Sequence, residues 1–199
     1  MIGSMATMQP LHAERAPDPA PPSDDALMRR VAARDGAAFR LLIDRHAARP
    51  HRIAWRMLGD GAEAEDVTQD AFLKLWQTAD RWRGDGPGVA AWLTRVTTNL
   101  ALDRLRRRAR LSDAPVPERA DPEPLADEAL ETRGERARVL RALDALPERQ
   151  RAAIVLTYYE ELPNAEAAAV LELHVKAFES LLLRARKALR GLLVEADHG

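Results

Sequence analysis

Apolar residues recur along most of this 199-residue chain at intervals of three and four positions, which is the spacing of one face of a helix. No segment shows the alternation of apolar and polar residues that is typical of a half-buried strand. A proline-rich stretch, Met1–Pro22, precedes the first helical pattern and is predicted to be a disordered leader. Ser23 is predicted to cap the first helix, because Asp24 and Asp25 follow in the first turn, where carboxylates favour the helix dipole.

A second helical pattern runs from Ala37 to Leu58, and Pro50 is expected to kink or break it because proline has no backbone N–H to donate. The next predicted helix, 62–80, carries two stripes. One is an apolar core face formed by Val67, Ala71, Phe72, Leu75, Trp76 and Ala79. The other has the spacing i, i+3, i+4 and i+7 and comprises Asp66, Gln69, Asp70 and Leu73. This polar stripe with an outward leucine is predicted to meet a partner protein.

Glycines and a proline make residues 81–88 a loop, in which Trp82 either packs in a core or stacks on a base. A long helix is predicted from Val89 to Arg110. Its apolar stripe is expected to contain Trp92, Leu93, Val96, Leu100 and Leu105. Polar residues expected to lie away from that stripe are Arg95, Thr98, Asn99 and Arg106.

The stretch 112–132 has the proline and acidic content of a linker. After it, four short helical segments are predicted: 135–146, 148–160, 164–171 and 175–193. Only three residues join the third segment to the longer, basic fourth one. A short helix, a tight turn and a longer basic helix form the pattern of a helix-turn-helix, whose second helix enters the major groove of DNA.

These patterns predict an all-α protein with two small helical modules joined by a flexible acidic proline-rich linker, the second module containing the helix-turn-helix. The predicted boundaries are 1–22 for the leader, 23–111 for the first module, 112–133 for the linker and 134–194 for the second module. The linker reaches at most about 70 Å when extended. Two modules joined in this way are able to engage sites that lie far apart.

A formal net charge of −1 hides a strong segregation of charge along the chain. Residues 94–110 contain six arginines against one aspartate, and residues 174–190 contain five basic side chains against one glutamate. Residues 112–132 contain seven acidic side chains against one arginine. Two basic stripes beside acidic segments favour a nucleic-acid-binding protein over a protein with merely solvated helix faces.

The chain contains no cysteine, which excludes disulfides, thiolate metal sites and cysteine nucleophiles. No apolar run approaches the roughly 20 residues that span a bilayer. We therefore expect a cytoplasmic protein with no membrane insertion, no cofactor and no metal site.

Four segments, taken in order, resemble the sequence motifs of bacterial extracytoplasmic-function (ECF) sigma factors. They are Ala64–Leu73 (AEDVTQDAFL), Trp92–Arg107 (WLTRVTTNLALDRLRR), Leu146–Arg151 (LPERQR) and Leu183–Leu189 (LRARKAL). Each segment is moderately specific alone, but four in this order and spacing form a specific match that covers about 25–192 without the linker. The resemblance implies two modules that bind core RNA polymerase and promoter DNA, and most relatives are held inactive by an anti-sigma factor.

The resemblance also assigns roles to residues of this chain. Core RNA polymerase is expected to bind Asp66, Gln69, Asp70 and Leu73. The minus-ten promoter element is expected to contact Arg95, Thr98, Asn99, Arg104, Arg106, Arg107 and Arg108. The Asn99 amide, which supplies a donor and an acceptor, matches a position that helps to capture an unstacked base, and the arginines are expected to bind phosphates. The minus-thirty-five element is expected to contact Lys176, Ala177, Glu179, Ser180, Leu183, Arg184 and Lys187.

The second module departs from the commonest pattern of these relatives at several places. Lys176-Ala177 stands where many relatives have Gly-Thr, and Leu183 stands where a larger or aromatic residue is frequent. Glu179 stands where many relatives have a basic residue. It either accepts a hydrogen bond from cytosine N4, pairs with Arg186 or caps a neighbouring amide. Glu172 occupies the turn where glycine is common, which leaves the geometry of that turn open. The promoter sequence that this chain prefers therefore need not match that of its relatives.

Three other functions were weighed against this one. A sigma-like mimic would sequester an anti-sigma factor without binding DNA, but it would be expected to lose the basic residues that this chain retains. A metal-dependent nuclease would use carboxylates such as Glu63, Glu65, Asp66 and Asp70, yet no second cluster closes such a site. A stand-alone helix-turn-helix repressor would leave the first module unexplained. No enzymatic activity is therefore predicted.

Overall fold

The computed structural model describes residues 21–111 and 130–196, so most of the predicted leader and most of the predicted linker lie outside the described residues. The described residues are predominantly helical and include no strand, which confirms the all-α prediction. The helices are α1 (Asp24–Ala32), α2 (Gly36–His46), α3 (Ala48–Leu58), α4 (Gly61–Thr78), α5 (Gly88–Leu111), α6 (Leu130–Asp144), α7 (Glu148–Ile154), α8 (Asn164–Val170) and α9 (Val175–Ala196). A 3-10 turn follows α4 at Ala79–Arg81, and a π-helical turn continues α7 at Val155–Tyr159.

Two helix starts show how short polar side chains fix the ends of these helices. Ser23 caps α1 as predicted, because its side-chain oxygen accepts the backbone N–H of Ala26 at 3.3 Å. Asp35 caps α2 in the same way and accepts the N–H of Ala38 at 3.1 Å. This hydrogen bond, together with the neighbouring Arg30 guanidinium, holds the pKa of the Asp35 carboxyl below its usual value.

Two helix boundaries differ from the sequence-based expectation. The break within residues 37–58 lies at Ala47, three residues before Pro50. Pro50 occupies the first turn of α3, where a backbone N–H has no partner within the helix and its absence costs nothing. Helix α6 begins at Leu130 rather than Glu135, and the leucine, glutamate and arginine in that stretch are good helix formers.

Two clusters of buried apolar side chains hold the helices together. The N-terminal core joins α1, α2, α4 and α5, and its large members include Leu27, Met28, Leu42, Phe72, Leu75 and Leu93. The shared core joins α3, α4 and α5 to α6–α9, and its large members include Ile53, Met57, Leu58, Leu143, Ile154, Leu156 and Phe178. Each such side chain contributes about 1.5–3 kcal/mol when it is fully buried. The two predicted modules are therefore packed against each other through a continuous core.

Candidate nucleic-acid interface

The predicted polymerase-binding stripe lies on one solvent-facing side of α4. Leu73 is 52% exposed, and the side chains of Asp66 and Asp70 are 62% and 48% exposed. Gln69 is exposed between them. The structure thus brings all four predicted residues together on one face. An exposed leucine among polar side chains is apolar surface that a partner protein is able to bury.

Arg104 connects this stripe to α5. Its guanidinium lies 3.6 Å from an Asp66 oxygen and 3.4 Å from an Asp70 oxygen. The sequence predicted that Arg104 binds DNA phosphate. In the structure the guanidinium pairs with two carboxylates of the α4 stripe, so a phosphate contact would require these ion pairs to break.

Two further arginines of α5 are also paired. Arg106 lies 3.3 Å from Asp103 on the same helix and 3.9 Å from Glu148 on α7. The Arg108 guanidinium donates from Nε to Glu63 at 3.2 Å and also to the carbonyl of Leu58. Much of the positive charge that the sequence places on α5 is therefore already balanced by neighbouring acidic side chains.

The buried face of α5 differs from the predicted apolar stripe, and Thr98 shows why. The fully or almost fully buried side chains of α5 are Val89, Leu93, Thr94, Thr97, Thr98, Ala101 and Leu102. Thr98 is 0% exposed, and its hydroxyl donates to the carbonyl of Thr94 at 2.8 Å. A threonine that bonds to the carbonyl four residues earlier satisfies its polar group and packs its methyl group. The expectation that Thr98 lies away from the apolar stripe is wrong, and its hydroxyl does not face solvent.

Other predicted minus-ten residues of α5 remain accessible. Asn99 is partly exposed, and its amide makes no hydrogen bond within the described part of the chain. Arg95 and Arg107 are exposed and form no ion pair with another described residue. These three side chains are free to contact a ligand without breaking an existing interaction.

The loop that precedes α5 is anchored to the start of α1. The indole N–H of Trp82 donates to the Asp25 carboxylate at 3.1 Å, and its ring packs against the N-terminal core. Gly84 approaches the same carboxylate so closely that a Cβ there would lie 3.2 Å from it. Of the two roles considered for Trp82, the structure supports core packing.

All seven predicted minus-thirty-five residues lie on exposed positions of α9. They are Lys176, Ala177, Glu179, Ser180, Leu183, Arg184 and Lys187. None of the charged ones forms an ion pair with another described residue, and Leu183 is 61% exposed. The alternative pairing of Glu179 with Arg186 is not present, because Arg186 points to the hydroxyl of Tyr158 at 3.4 Å. The opposite face of α9 is anchored in the shared core by Phe178, which is fully buried.

The turn between α8 and α9 has the tight geometry of a helix-turn-helix. Glu172 adopts a left-handed conformation with φ of 55°, which is costly for a residue that has a Cβ. The N–H of Leu173 donates to the carbonyl of Ala168 at 2.9 Å, and Arg149 donates to the carbonyl of Leu171 at 2.8 Å. These bonds hold the turn in place although the position favours glycine.

Known proteins share both halves of this arrangement. Sigma-70 region 2 matches residues 42–111, and Sigma-70 region 4 matches residues 136–189. The chain is 36% identical over 159 residues to the ECF RNA polymerase sigma factor SigE of Mycolicibacterium smegmatis. This match covers 77% of the present chain and 61% of SigE. It is 34% identical over 179 residues to the ECF RNA polymerase sigma factor SigK of Mycobacterium ulcerans. This match covers 85% of the present chain and 92% of SigK.

The chain belongs to the ECF sigma factors. It spans less than two thirds of the length of SigE. Among solved structures, this sigma factor is similar to the sigma factor RpoE of Bartonella quintana in complex with the anti-sigma factor NepR. The TM-score is 0.64 at 25% identity, and the match covers 78% of this chain and 96% of that chain.

Sequence reasoning missed the buried charges of this sigma factor. Glu160 and Arg151 are 8% and 4% exposed. Arg151 pairs with Asp144 at 2.8 Å and donates to the carbonyl of Met57 at 2.6 Å. No local pattern links positions that lie about a hundred residues apart. The sequence displays one signal of such pairing, which is the spacing i, i+3 and i+7 of Arg49, Arg52 and Arg56 on α3.

The part of the chain that the structure describes offers no group of three His, Asp or Glu side chains able to hold a metal ion. Carboxylates of the nuclease alternative are used in ion pairs instead, Glu63 with Arg108 and Asp70 with Arg104. None of the described helices is long and apolar enough to cross a membrane.

Proposed function

We propose that this sigma factor binds core RNA polymerase and directs it to promoters, with the two modules contacting the minus-ten and minus-thirty-five elements. The module boundaries that we propose are 23–111 and 134–194. Helix α9 reads the minus-thirty-five element, α5 contacts the minus-ten element, and the α4 stripe binds the polymerase.

The exposed face of α9 is the observation that carries this proposal. Basic, acidic, hydroxyl and apolar side chains stand on it in one row, and its charged side chains are not paired with other described residues. Such a mixture suits the major groove, where arginine and lysine donate to guanine, a carboxylate accepts from cytosine and an apolar side chain packs on the thymine methyl. The same face argues against a mimic that no longer binds DNA.

The role of α5 rests on fewer accessible groups. Arg95 and Arg107 supply charge for phosphates, and Asn99 supplies an amide for the edge of an unstacked base. Phosphate contacts position a protein on DNA, whereas base contacts specify the sequence. We therefore assign DNA opening to Asn99 and assign the nearby arginines to holding the strand.

An anti-sigma factor is the proposed regulator. RpoE of Bartonella quintana, whose match covers 78% of the present chain, is described in complex with the anti-sigma factor NepR. We propose that a protein of this class binds the present sigma factor and competes with polymerase or with DNA.

Polymerase binding by the α4 stripe tests the proposal. Asp70→Arg combined with Leu73→Ala should weaken capture of core polymerase by the full chain, and run-off transcription from a cognate promoter should fall with it. The helical circular-dichroism signal should be unchanged, because both side chains are exposed. Asp44→Arg with Leu41→Ala is a matched control, since it changes an exposed Asp and an exposed Leu three residues apart on α2. Equal capture by both double variants would refute the assignment.

A further inference from the structure

Glu160 is the one acidic side chain among the described residues that is almost completely buried, with 1% of its side chain exposed. It follows the π-helical turn of the second module, and its own N–H donates to the carbonyl of Val155 at 3.1 Å. A buried carboxylate is costly unless cations and hydrogen bonds compensate it. The location of those cations is therefore informative.

The cations that compensate Glu160 all lie on α3 of the first module. Arg49 donates from Nε to a carboxylate oxygen at 3.0 Å and from Nη2 to the Glu160 carbonyl at 3.2 Å. Arg52 donates to the same carboxylate oxygen at 3.2 Å, and Arg56 lies 3.8 Å from the other oxygen. The three arginines share one face of α3 at spacing i, i+3 and i+7. We call Glu160 and these arginines the intermodule ion cluster.

The ion cluster sits beside apolar contacts that join the same two modules. Ile53 and Met57 of α3 belong to the shared core together with Ile154 and Leu156 of the second module. Helix α5 also packs against α7 and α8. The modules are thus held by apolar burial, and the ion cluster fixes their relative orientation, because a carboxylate with three arginines is satisfied in few geometries.

This arrangement is incompatible with simultaneous contact to both promoter elements. Sites centred near positions minus ten and minus thirty-five are about 25 base pairs apart, which is about 85 Å along B-DNA at 3.4 Å per base pair. Helices that touch through a common core cannot span that distance. The two modules must separate before both elements are bound.

We propose that the intermodule ion cluster is a latch that holds this sigma factor in a closed, inactive conformation until the second module is released. The inhibitory role rests on the proposed function, whereas the closed conformation is measurable without it. The latch is asymmetric. Arg49 and Arg52 are 32% and 49% exposed and keep contact with water, but the Glu160 carboxylate loses it, and its Oε1 accepts no hydrogen bond from a described residue. Removing arginines therefore leaves a buried charge uncompensated, and neutralising the glutamate leaves cations that water still solvates.

The distance between the modules tests the latch directly. The chain lacks cysteine, so Gln77→Cys on α4 and Gly191→Cys on α9 give two unique labelling sites at exposed positions. Single-molecule energy transfer on the full chain should show one short distance in the otherwise wild-type protein. Arg49→Ala with Arg52→Ala should add a broad population longer by about 25 Å, which is the span expected if the linker predicted from the sequence behaves as a coil of about 20 residues. Glu160→Gln should add a much smaller long-distance population.

Matched variants separate the latch from general effects of charge and folding. Arg29→Ala with Arg40→Ala removes two exposed arginines of α1 and α2 and should leave the short distance unchanged. Glu160→Arg should open the molecule, and adding Arg49→Glu and Arg52→Glu should restore the short distance. Any one of three results would overturn the latch. These are an opened molecule in the control pair, an unchanged short distance in the Arg49→Ala and Arg52→Ala double variant, and reversed charges that fail to restore the short distance.

A functional measurement tests the inhibitory role separately. With core polymerase and a limiting amount of sigma factor, the Arg49→Ala and Arg52→Ala double variant should increase initial run-off transcription several-fold over wild type. Opening without any increase would overturn the inhibitory role. If the wild-type chain directs no transcription at all, the proposed function fails, while the distance measurements still decide whether the latch exists.

Discussion

Helices α5 and α9 carry similar positive charge in the sequence but present it differently in the structure. On α5, Arg104, Arg106 and Arg108 are paired with carboxylates of α4, α5 and α7. On α9, Arg184 and Lys187 are exposed and have no ionic partner among the described residues. Charge density along a sequence therefore shows where cations are concentrated but not which of them are available to DNA.

The difference follows from what surrounds each helix. The acidic helix α4 packs against α5, so carboxylates of one helix reach guanidinium groups of the other. Only one side of α9 packs against its module, and the charged side chains on the other side form no ion pair with another described residue. We expect α9 to provide most of the electrostatic affinity for duplex DNA and α5 to act later, through fewer contacts.

The largest expected effect is on duplex binding by α9. Arg184→Ala with Lys187→Ala should weaken binding of the full chain with polymerase to a minus-thirty-five duplex by at least about 100-fold, because two hydrogen bonds to charged groups are lost and each contributes about 1.5–3 kcal/mol. If both contacts are to phosphate, the slope of log affinity against log salt should decrease by about two units. Fluorescence anisotropy across a salt series measures both quantities. If two arginine substitutions on α5 weaken duplex binding more than these two substitutions on α9, then α9 does not provide most of the electrostatic affinity.

The next effect concerns opening of the minus-ten element by α5. Asn99→Ala should leave closed-complex binding nearly unchanged and reduce opening by roughly tenfold, as a bidentate amide contact to a base contributes about 1–3 kcal/mol. Permanganate reactivity of the minus-ten thymines reports the opening. Loss of duplex binding with normal opening would show that Asn99 acts in docking instead.

A smaller effect distinguishes paired from unpaired arginines on α5. Arg107→Ala should lower the salt slope of promoter binding by about one unit, whereas Arg104→Ala should leave the slope unchanged because its guanidinium is already paired with Asp66 and Asp70. Arg104→Ala should instead alter capture of core polymerase, since it leaves those two carboxylates uncompensated. Equal salt slopes for the two variants would mean that the ion pairs of Arg104 do not persist on DNA.

The smallest expected effect is on the turn that positions α9. Glu172→Gly should raise the free energy of unfolding by about 1 kcal/mol, because glycine adopts a positive φ without the cost paid by a residue with a Cβ. Thermal unfolding measures the change. Glu166→Gly in α8 is the matched control and should destabilise the protein by a similar amount, since glycine is unfavourable inside a helix. A destabilised Glu172→Gly variant would show that the side chain contributes more than the strain costs.

Much of this fold follows from local patterns in the sequence. The cap at Ser23, the stripe on α4 and the exposed face of α9 all depend on spacing within a single helix, which a sequence displays directly. The boundary at Leu130 and the position of the break before Pro50 were less predictable, because several residues near a helix end have similar preferences.

Contacts between distant segments could not be predicted in this way. Thr98 is buried where α5 packs against its neighbouring helices, and its hydroxyl tolerates that burial because it donates to the carbonyl of Thr94. The pairing of Arg104 with Asp70 and of Arg49 with Glu160 joins positions 34 and 111 residues apart. Such pairs exist only because the helices pack in one particular arrangement.

Mapping transcript starts made by core polymerase with the full chain tests the central claim, that this sigma factor selects promoters and that the exposed face of α9 reads them. We predict that the starts follow two shared motifs about 25 base pairs apart, and that Glu179→Ala relaxes preference at one base pair of the upstream motif only, by about 1–3 kcal/mol. Starts that are the same with and without the chain, or an unchanged upstream motif in every α9 variant, would contradict the account.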